Sequence, residues 1–396
     1  MSTQGRAGRW ARTGRIGAAA LTLAAVASGV AQARPAGSPD GGHSRVLDAD
    51  VRAVRAAGGA VEVLAETRTE KGTARSRTGA GVPWDAQFRT ASTSKTFVAV
   101  VVLQLAAEGR LSLDDTVERW LPGLVRGHGN DGSRITVRDL LQHTSGLFDY
   151  VRDPEVTKAK TGDFEKIRND ATPAGQWVAL ALRHPPLFVP DHRHPRWAYS
   201  NTNYLLAGMI AEKAGGLGWR EQVEHRIIAP LGLRHTFVPG TNPFLPGPHA
   251  AVTVNTPAGT VDFTEHSVQH TADSGVVSTT GDLNTFFRAL LTGRLLPKAQ
   301  LAEMQRTVVR TDDPEDLAEW PSGGYGLGLR WTPLSCGGGY WHHEGDGLGS
   351  YTRTGVTADG RRTVAVSITS AGSMPDLVKL NGAARQLADD ALCGRD

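Results

Sequence analysis

Hydrophobic positions recur along this chain in several distinct textures. Val46, Leu47, Val51 and Val54 stand at helical spacing and stop at Gly58-Gly59, which predicts an amphipathic helix. Alternation at 60–65 and 73–79 predicts a pair of strands. Between Phe97 and Ala107 nearly every position is apolar, so that helix should be buried on most sides before Gly109 stops it. At eleven residues it is too short to span a membrane. From Leu111 to about Thr271 the texture is helical, at 137–141, 174–182, 202–214 and 219–228, with long connections rich in Pro, Gly and His. A further helix through Leu283, Phe286, Phe287, Leu290 and Leu291 leads to strands at 325–331, 340–343, 351–357 and 363–370, joined by turns such as Ala358-Asp359-Gly360-Arg361. A last helix runs through Leu377, Leu380, Ala383, Leu387 and Ala391. The expected fold is α/β of the α+β kind. An antiparallel sheet flanked by helices, drawn from 45–110 and 275–396, would be interrupted by an inserted, mainly helical domain at 111–274. Without such an insertion, strands from both ends could not share one sheet.

The N-terminus changes how the charge is read. Arg6, Arg9, Arg12 and Arg15 precede an apolar stretch from Ile16 to Val30 and then Ala31-Gln32-Ala33, the layout of a secretory signal peptide cleaved near Ala33. The alternative, a membrane anchor, would need an apolar run of about 20 residues. Residues 34–44 read as a flexible leader. The net charge of the full chain is +3, and losing residues 1–33 removes four arginines and no acids, which leaves −1. No basic stripe points to nucleic acid. The expectation is a secreted protein without a stable membrane anchor. Its only cysteines are Cys336 and Cys393. In an exported protein the simplest reading is one disulfide between them, with two buried thiols as the alternative.

Candidate chemistry starts at Ser92 and Lys95. Three residues apart at a helix start, they share a face. A serine hydroxyl attacks only when something takes its proton, and an amine with a depressed pKa can do so. By itself the pair reads equally as a capping serine and a solvated lysine. Tyr199-Ser200-Asn201 precedes a predicted helix and offers a phenol to relay a proton and an amide to bind a substrate carbonyl. His343-Glu344-Gly345 lies among the late strands, where a histidine can donate and a glycine lets backbone approach closely.

Together, Ser92-x-x-Lys95, Tyr199-x-Asn201 and His343-x-Gly345 resemble the three motifs of the serine penicillin-recognising superfamily, which holds penicillin-binding peptidases, serine β-lactamases and related esterases. Flanking stretches are similar to its secreted D-alanyl-D-alanine carboxypeptidases over nearly the whole mature chain. These include Phe88-Arg89-Thr90, Ser145-Gly146-Leu147, Tyr199 to Tyr204, Tyr325 to Arg330, Leu334-Ser335-Cys336 and Cys393-Gly394. The resemblance implies acyl transfer through Ser92, with Lys95 and Tyr199 managing its proton and Asn201 holding the substrate amide. It also implies that His343 and Gly345 shape a strand edge, that the backbone N–H groups of Ser92 and Asp346 form an oxyanion hole, and that Arg330 holds a terminal carboxylate. The substrates implied are peptidoglycan-like D-peptides or β-lactams, acted on by a monomer with no metal or cofactor.

One departure bears on specificity. Where the resembled carboxypeptidases carry threonines, this chain has Glu344 and Asp346, two acids beside the expected carboxylate site. Like charges at close range repel by about 1–4 kcal/mol per pair. The leading expectation is therefore a D-alanyl-D-alanine carboxypeptidase, a D-amino-acid peptidase acylated by penicillins. The alternatives are a β-lactamase-like esterase, a D-aminopeptidase, or a slowly turning over β-lactam-binding sensor. Asp191-His192-Arg193-His194 lacks metal-ligand spacing, and Gly345 to Gly349 lacks the spacing and following helix of a phosphate loop, so neither is taken as a site.

Overall fold

The computed structural model describes residues 44–79, 81–157, 167–256, 259–306, 317, 323–372 and 376–395. The expected signal peptide, and the leader up to residue 43, lie outside the described residues. Among those described, no helix is long and apolar enough to cross a membrane.

Helix α1 (Arg45–Gly58) starts on Ser44, whose hydroxyl accepts from the Leu47 N–H, and ends where Gly59 turns to φ +77°. It leads into β1 (Ala60–Thr69) and β2 (Gly72–Thr78). A short strand β3 (Phe88–Arg89) and a 3-10 turn at Ala91–Thr93 then feed α2 (Ser94–Ala107). The middle of the chain supplies α3 (Val137–Gln142), α4 (Asn201–Gly215) and, within the stretch expected to be mainly helical, the strands β4 (Thr253–Thr256) and β5 (Gly259–Asp262). Next come β6 (Val277–Ser278), α5 (Thr280–Leu291) and α6 (Lys298–Arg306), a helix the hydrophobic pattern does not announce. The end of the chain is β7 (Gly324–Tyr325), β8 (Arg330–Pro333), β9 (Gly339–His342), β10 (Gly345–Asp346), β11 (Ser350–Thr357), β12 (Thr363–Gly372) and α7 (Leu377–Cys393).

Strands from both ends of the chain form one sheet in the order β2-β1-β12-β11-β9-β8-β7, with every neighbour on this path antiparallel. Off the path, β4 runs parallel to the end of β12. Period-two alternation splits β12 between two cores. Val364, Val366 and Ile368 pack with Leu47, Val51 and Val54 of α1 and with Leu380 and Leu387 of α7, while Ala365 joins the cluster around Phe286 and Phe287 of α5. The mixed α/β architecture, an antiparallel sheet flanked by helices, is thus realised by this chain.

The segment expected as one strand at 325–331 is broken. Gly326 N–H donates back to the Leu329 carbonyl at 2.8 Å, and the Gly328 carbonyl accepts from Thr96 Oγ1 at 2.8 Å. The turn exists because the chain there bends to meet α2. That helix is buried at every position from Ser94 to Leu103, and its Phe97 stacks on Phe286 at 3.8 Å. Burial on all sides rigidifies the element that carries the candidate nucleophile and base.

Cys336, after β8, is joined to Cys393 at the end of α7 by a disulfide across 57 residues. A bridge closing a loop of that length stabilises by about 2–4 kcal/mol. Cys393→Ser should lose that amount in urea unfolding, and reductant should lower the parent's midpoint but leave the variant's unchanged.

Candidate active site

Ser92 sits in the 3-10 turn just ahead of α2, not inside the α-helix, and the backbone is bent there by Ala91 at φ +46°. A left-handed conformation in a buried, non-glycine residue costs about 1–2 kcal/mol, and it turns the Ser92 side chain out of the helix line. Ser92 borders the cavity described below, whereas Lys95, one turn on, is wholly buried.

All three hydrogens of the Lys95 ammonium are used. Nζ donates to Ser92 Oγ at 2.9 Å, to Asn201 Oδ1 at 2.7 Å and to the Asp273 carbonyl at 2.9 Å. The last two partners can only accept. When Lys95 loses a proton, the two remaining hydrogens stay with them and the lone pair is left facing Ser92. Burial pulls the ammonium down to about 8, against the stabilising pull of Asp273, Asp149 and Glu344. A neutral amine aimed at the hydroxyl is therefore accessible just above neutral pH.

The Asn201 carboxamide is oriented by chemistry on both sides. Its oxygen faces Lys95, and Nδ2 donates to Asp149 at 3.2 and 3.0 Å. Asp149 also accepts from the Asn201 backbone N–H at 3.1 Å, which fixes the start of α4. Asn201 was expected to hold the substrate amide; the structure puts it first in the service of Lys95, although it also reaches the cavity. The Tyr199 phenol engages Ser92, and its ring lies 5.1 Å from Lys95 Nζ. Burial pushes this phenol well above its ordinary pKa, so it holds its proton at neutral pH and can donate but not abstract. His143 forms the floor beneath it, at 4.3 Å between ring centres, and accepts at Nδ1 from the Ser200 N–H at 3.2 Å. Burial and the nearby Lys95 keep His143 well below its ordinary pKa and hence neutral.

On the sheet side, β10 abuts the nucleophile's turn. A Cβ at Gly345 would stand 2.0 Å from the Thr90 carbonyl oxygen and 3.2 Å from the Ser92 nitrogen, so this position admits no side chain. His343 is buried; its Nδ1 meets the Glu344 carbonyl at 2.6 Å and its Nε2 the Tyr325 hydroxyl at 2.8 Å. A carbonyl can only accept, so the ring carries its hydrogen on Nδ1 and Tyr325 donates to Nε2. Burial lowers its pKa to about 4, so it acts as a neutral strut.

Arg330 and Glu344, both expected at a substrate carboxylate, are committed to each other. Arg330 Nε donates to Glu344 Oε1 at 2.7 Å, with the two side chains 6% and 9% exposed. The guanidinium lies 5.5 and 5.4 Å from the ring centres of Trp197 and Tyr325. Burial opposes ionisation of Glu344, but the Arg330 charge, together with His343, His342 and a backbone hydrogen bond, outweighs it and holds the carboxyl far below the usual range. Asp346 is different. It lies 2.7 Å from Arg353 Nη2, in contact but not aligned for a hydrogen bond, and borders the cavity beside Ser92.

That cavity, about 290 Å³, is walled by apolar side chains including Tyr150, Trp177, Ile167 and Leu348. Its polar groups besides Ser92 and Asn201 include three carboxylates, Asp170, Asp273 and Asp346, and no cationic side chain lines it among the described residues. Asp273 is already engaged by Tyr150 at 3.1 Å and Thr271 at 2.5 Å. In the discounted histidine segment, His192 Nε2 pairs with Asp139 at 3.0 Å, and among the described residues no cluster suits a metal ion.

Asp149, Asp273, His143 and Tyr325 are site residues the motifs do not name. Asp149 follows the quoted Ser145-Gly146-Leu147 by two residues, so closer attention to that stretch could have found it; Asp273 contributes through its backbone carbonyl, which carries no sequence signal.

The sequence pattern of the family described as Beta-lactamase matches residues 44–389. The chain belongs to the Beta-lactamase family. This places it in the β-lactamase and penicillin-binding protein superfamily of serine hydrolases. It is 40% identical to a D-stereospecific amidohydrolase from Streptomyces sp., with 87% of this chain and 98% of that one covered at a TM-score of 0.78. A D-amino acid amidase from Ochrobactrum anthropi SV3, solved with L-phenylalanine amide, is 25% identical over 88% of this chain and 98% of that one, at a TM-score of 0.72. A penicillin-binding protein of Bacillus subtilis is 34% identical over 151 residues, 38% of this chain and 30% of that protein. The aligned part thus spans under a third of that curated relative.

In this member of the Beta-lactamase family the position of Lys95 predicts that acylation of Ser92 depends on pH. With a neutral ester, which has no titrating group of its own, the rate should rise tenfold per pH unit and level off near pH 8. Below that value the amine is protonated and has no lone pair for the Ser92 proton. Single-turnover acylation between pH 6 and 9 checks this, and a flat profile would remove Lys95 as the base.

Proposed function

We propose that the chain hydrolyses amide bonds of D-amino-acid derivatives that keep a free α-amino group, such as D-amino-acid amides and the amino-terminal D-residue of short peptides. The reading rests on one observation: the cationic group expected for a terminal carboxylate, Arg330, is neutralised by Glu344, while the cavity at Ser92 presents the carboxylate of Asp170, with Asp346 and its partner Arg353 at the edge. An ammonium group is attracted there and a carboxylate repelled. Apolar walls with Trp177 and Tyr150 suit an aromatic or aliphatic side chain. The similarity to amidohydrolases named for D-amino-acid derivatives supports the same choice.

In the proposed reaction Ser92 Oγ attacks the amide carbon as its proton passes to neutral Lys95. The oxyanion is held by the backbone N–H groups of Ser92 and Asp346. The C–N bond breaks as ammonia or the amine takes a proton, relayed from Lys95 through the Tyr199 phenol. Water then attacks the acyl-Ser92 ester with Lys95 again as base, releasing the acid and restoring the hydroxyl. Export, with removal of residues 1–33, is part of the proposal, so the extracellular protein should begin near Arg34.

The test compares kcat/KM for D-phenylalanine amide, its N-acetyl derivative and an acyl-D-alanyl-D-alanine. Losing a charge-assisted contact costs about 1.5–3 kcal/mol, so N-acetylation should lower kcat/KM by about 10- to 100-fold. Preference for the acyl-D-alanyl-D-alanine would instead establish the D-alanyl-D-alanine carboxypeptidase, and preference for a neutral ester the esterase. A lasting penicillin adduct on Ser92 without turnover of any of these would establish the sensor.

A further inference from the structure

A second, much smaller cavity shares no lining residue with the one at Ser92. Gln87, Arg89, Thr264, His266, Ser350 and Thr369 supply its polar lining, and it is about the size of one small ion or water molecule. Three of these side chains are buried to within 3% of full burial: Arg89, His266 and Thr369. Each carries a buried polar atom that no other described group engages, namely Nε and Nη1 of Arg89, Nδ1 of His266 and Oγ1 of Thr369. The remaining Arg89 nitrogen, Nη2, donates to the Pro243 carbonyl at 2.8 Å.

Arg89 keeps its charge in this setting, since burial brings the guanidinium only down to about 10, with Glu265 pulling the other way. Yet among the described residues no carboxylate forms an ion pair with it, and Glu265 instead accepts from the Leu245 N–H at 3.4 Å. A buried cation with no carboxylate paired to it is costly unless the charge is balanced on the spot. The unengaged groups of the lining residues are mostly donors: two kinds of guanidinium N–H, a hydroxyl, and Nδ1–H of His266 in one tautomer. A water molecule would bring hydrogens of its own into a cluster of donors and leave the charge uncompensated. A monatomic anion accepts from all of them and balances it.

We propose that this cavity is a binding site for a halide-sized anion, chloride under ordinary conditions, held by Arg89 and Thr369 with His266 beside them. Phosphate and carboxylate ligands are too large for it. The site joins parts of the fold that are distant in sequence. Arg89 lies in β3, paired with Val277 of β6, and its carbonyl accepts from Ser350 Oγ at 3.2 Å at the start of β11, while Thr369 belongs to β12. Three residues after Arg89 comes Ser92. A bound anion therefore braces the strand that delivers the nucleophile to its turn.

The experiment melts the purified chain at constant ionic strength while sodium gluconate is replaced stepwise by sodium chloride or sodium bromide. Bromide-soaked crystals are measured at the bromine edge alongside. The melting temperature should rise saturably, by on the order of 2–5 °C. An anomalous peak should stand beside Nε and Nη1 of Arg89. Thr369→Val, which keeps the shape and removes one donor, should shift the halide midpoint upward about tenfold, and Arg89→Met should abolish the response. If Arg89→Met does not fold, Thr369→Val and the crystals decide alone. Equal midpoints in the parent and Thr369→Val, or no bromide peak at Arg89, would overturn the site.

Discussion

Ser92→Ala should reduce turnover of every substrate by about 10⁴- to 10⁶-fold, and Lys95→Met should cost nearly as much. Groups that act as a unit lose most of their effect when either is removed. The geometry makes these two a unit, because the amine is 2.9 Å from the hydroxyl and its other two hydrogens are held by carbonyl oxygens that can only accept. The double variant should accordingly be no worse than about tenfold below either single one. Mass spectrometry separates the roles. Ser92→Ala forms no covalent adduct with an activated D-amino-acid ester, whereas Lys95→Met forms it slowly at the same serine. An alanine variant that still hydrolysed D-phenylalanine amide at more than a hundredth of the parent rate would end the acyl-serine mechanism.

The second large effect is expected from Glu344→Ala, which should cost about 3–5 kcal/mol in denaturant unfolding, because it removes the carboxylate that pairs with the buried Arg330 guanidinium. Glu344→Gln should lose less, since the amide oxygen still accepts from Nε. Removing both charges, as Arg330→Met with Glu344→Ala, should recover much of the loss, since the double change takes the unpaired charge away along with its partner. A double variant as unstable as the sum of the singles would show that Arg330 and Glu344 contribute independently, and would weaken the view that their pairing withdraws Arg330 from the substrate.

The two effects touch different parts of specificity. In the proposed mechanism Ser92 and Lys95 supply a reaction common to peptides, amides and esters, so they say little about which substrate is used. In the proposed function the Arg330–Glu344 pair and the acids of the cavity carry that choice, and of these Glu344 and Asp346 stand where the carboxypeptidases it resembles carry threonines. Chemistry and selectivity are in this way held by separate side chains around one hydroxyl.

Much of this was legible before any coordinates. Apolar periodicity located α1, α2, α5 and α7 because a buried helix face or a fully buried helix leaves a regular trace, and the Gly58-Gly59 stop became the observed αL cap. Alternation located β1, β2, β11 and β12 for the same reason at period two. Short strands such as β4 and β5, and the break at Gly326 to Leu329, escaped because a run of a few residues has no period to read and the bend there answers to a contact with α2.

By itself the sequence determined the kind of chemistry: a serine and a lysine one turn apart, with a tyrosine and an asparagine on a later helix start, since residue type and local spacing are enough to name a nucleophile and its candidate base. Only the tertiary structure decided what each group is free to do. Whether Lys95 loses its proton near neutrality depends on burial among Asn201, Asp273 and Tyr199, and whether Arg330 meets a substrate depends on Glu344 standing 2.7 Å away. Such properties come from desolvation and from groups that only the fold brings together, Lys95 with Asn201 across 106 residues and Arg330 with Glu344 across 14, and no local pattern encodes them.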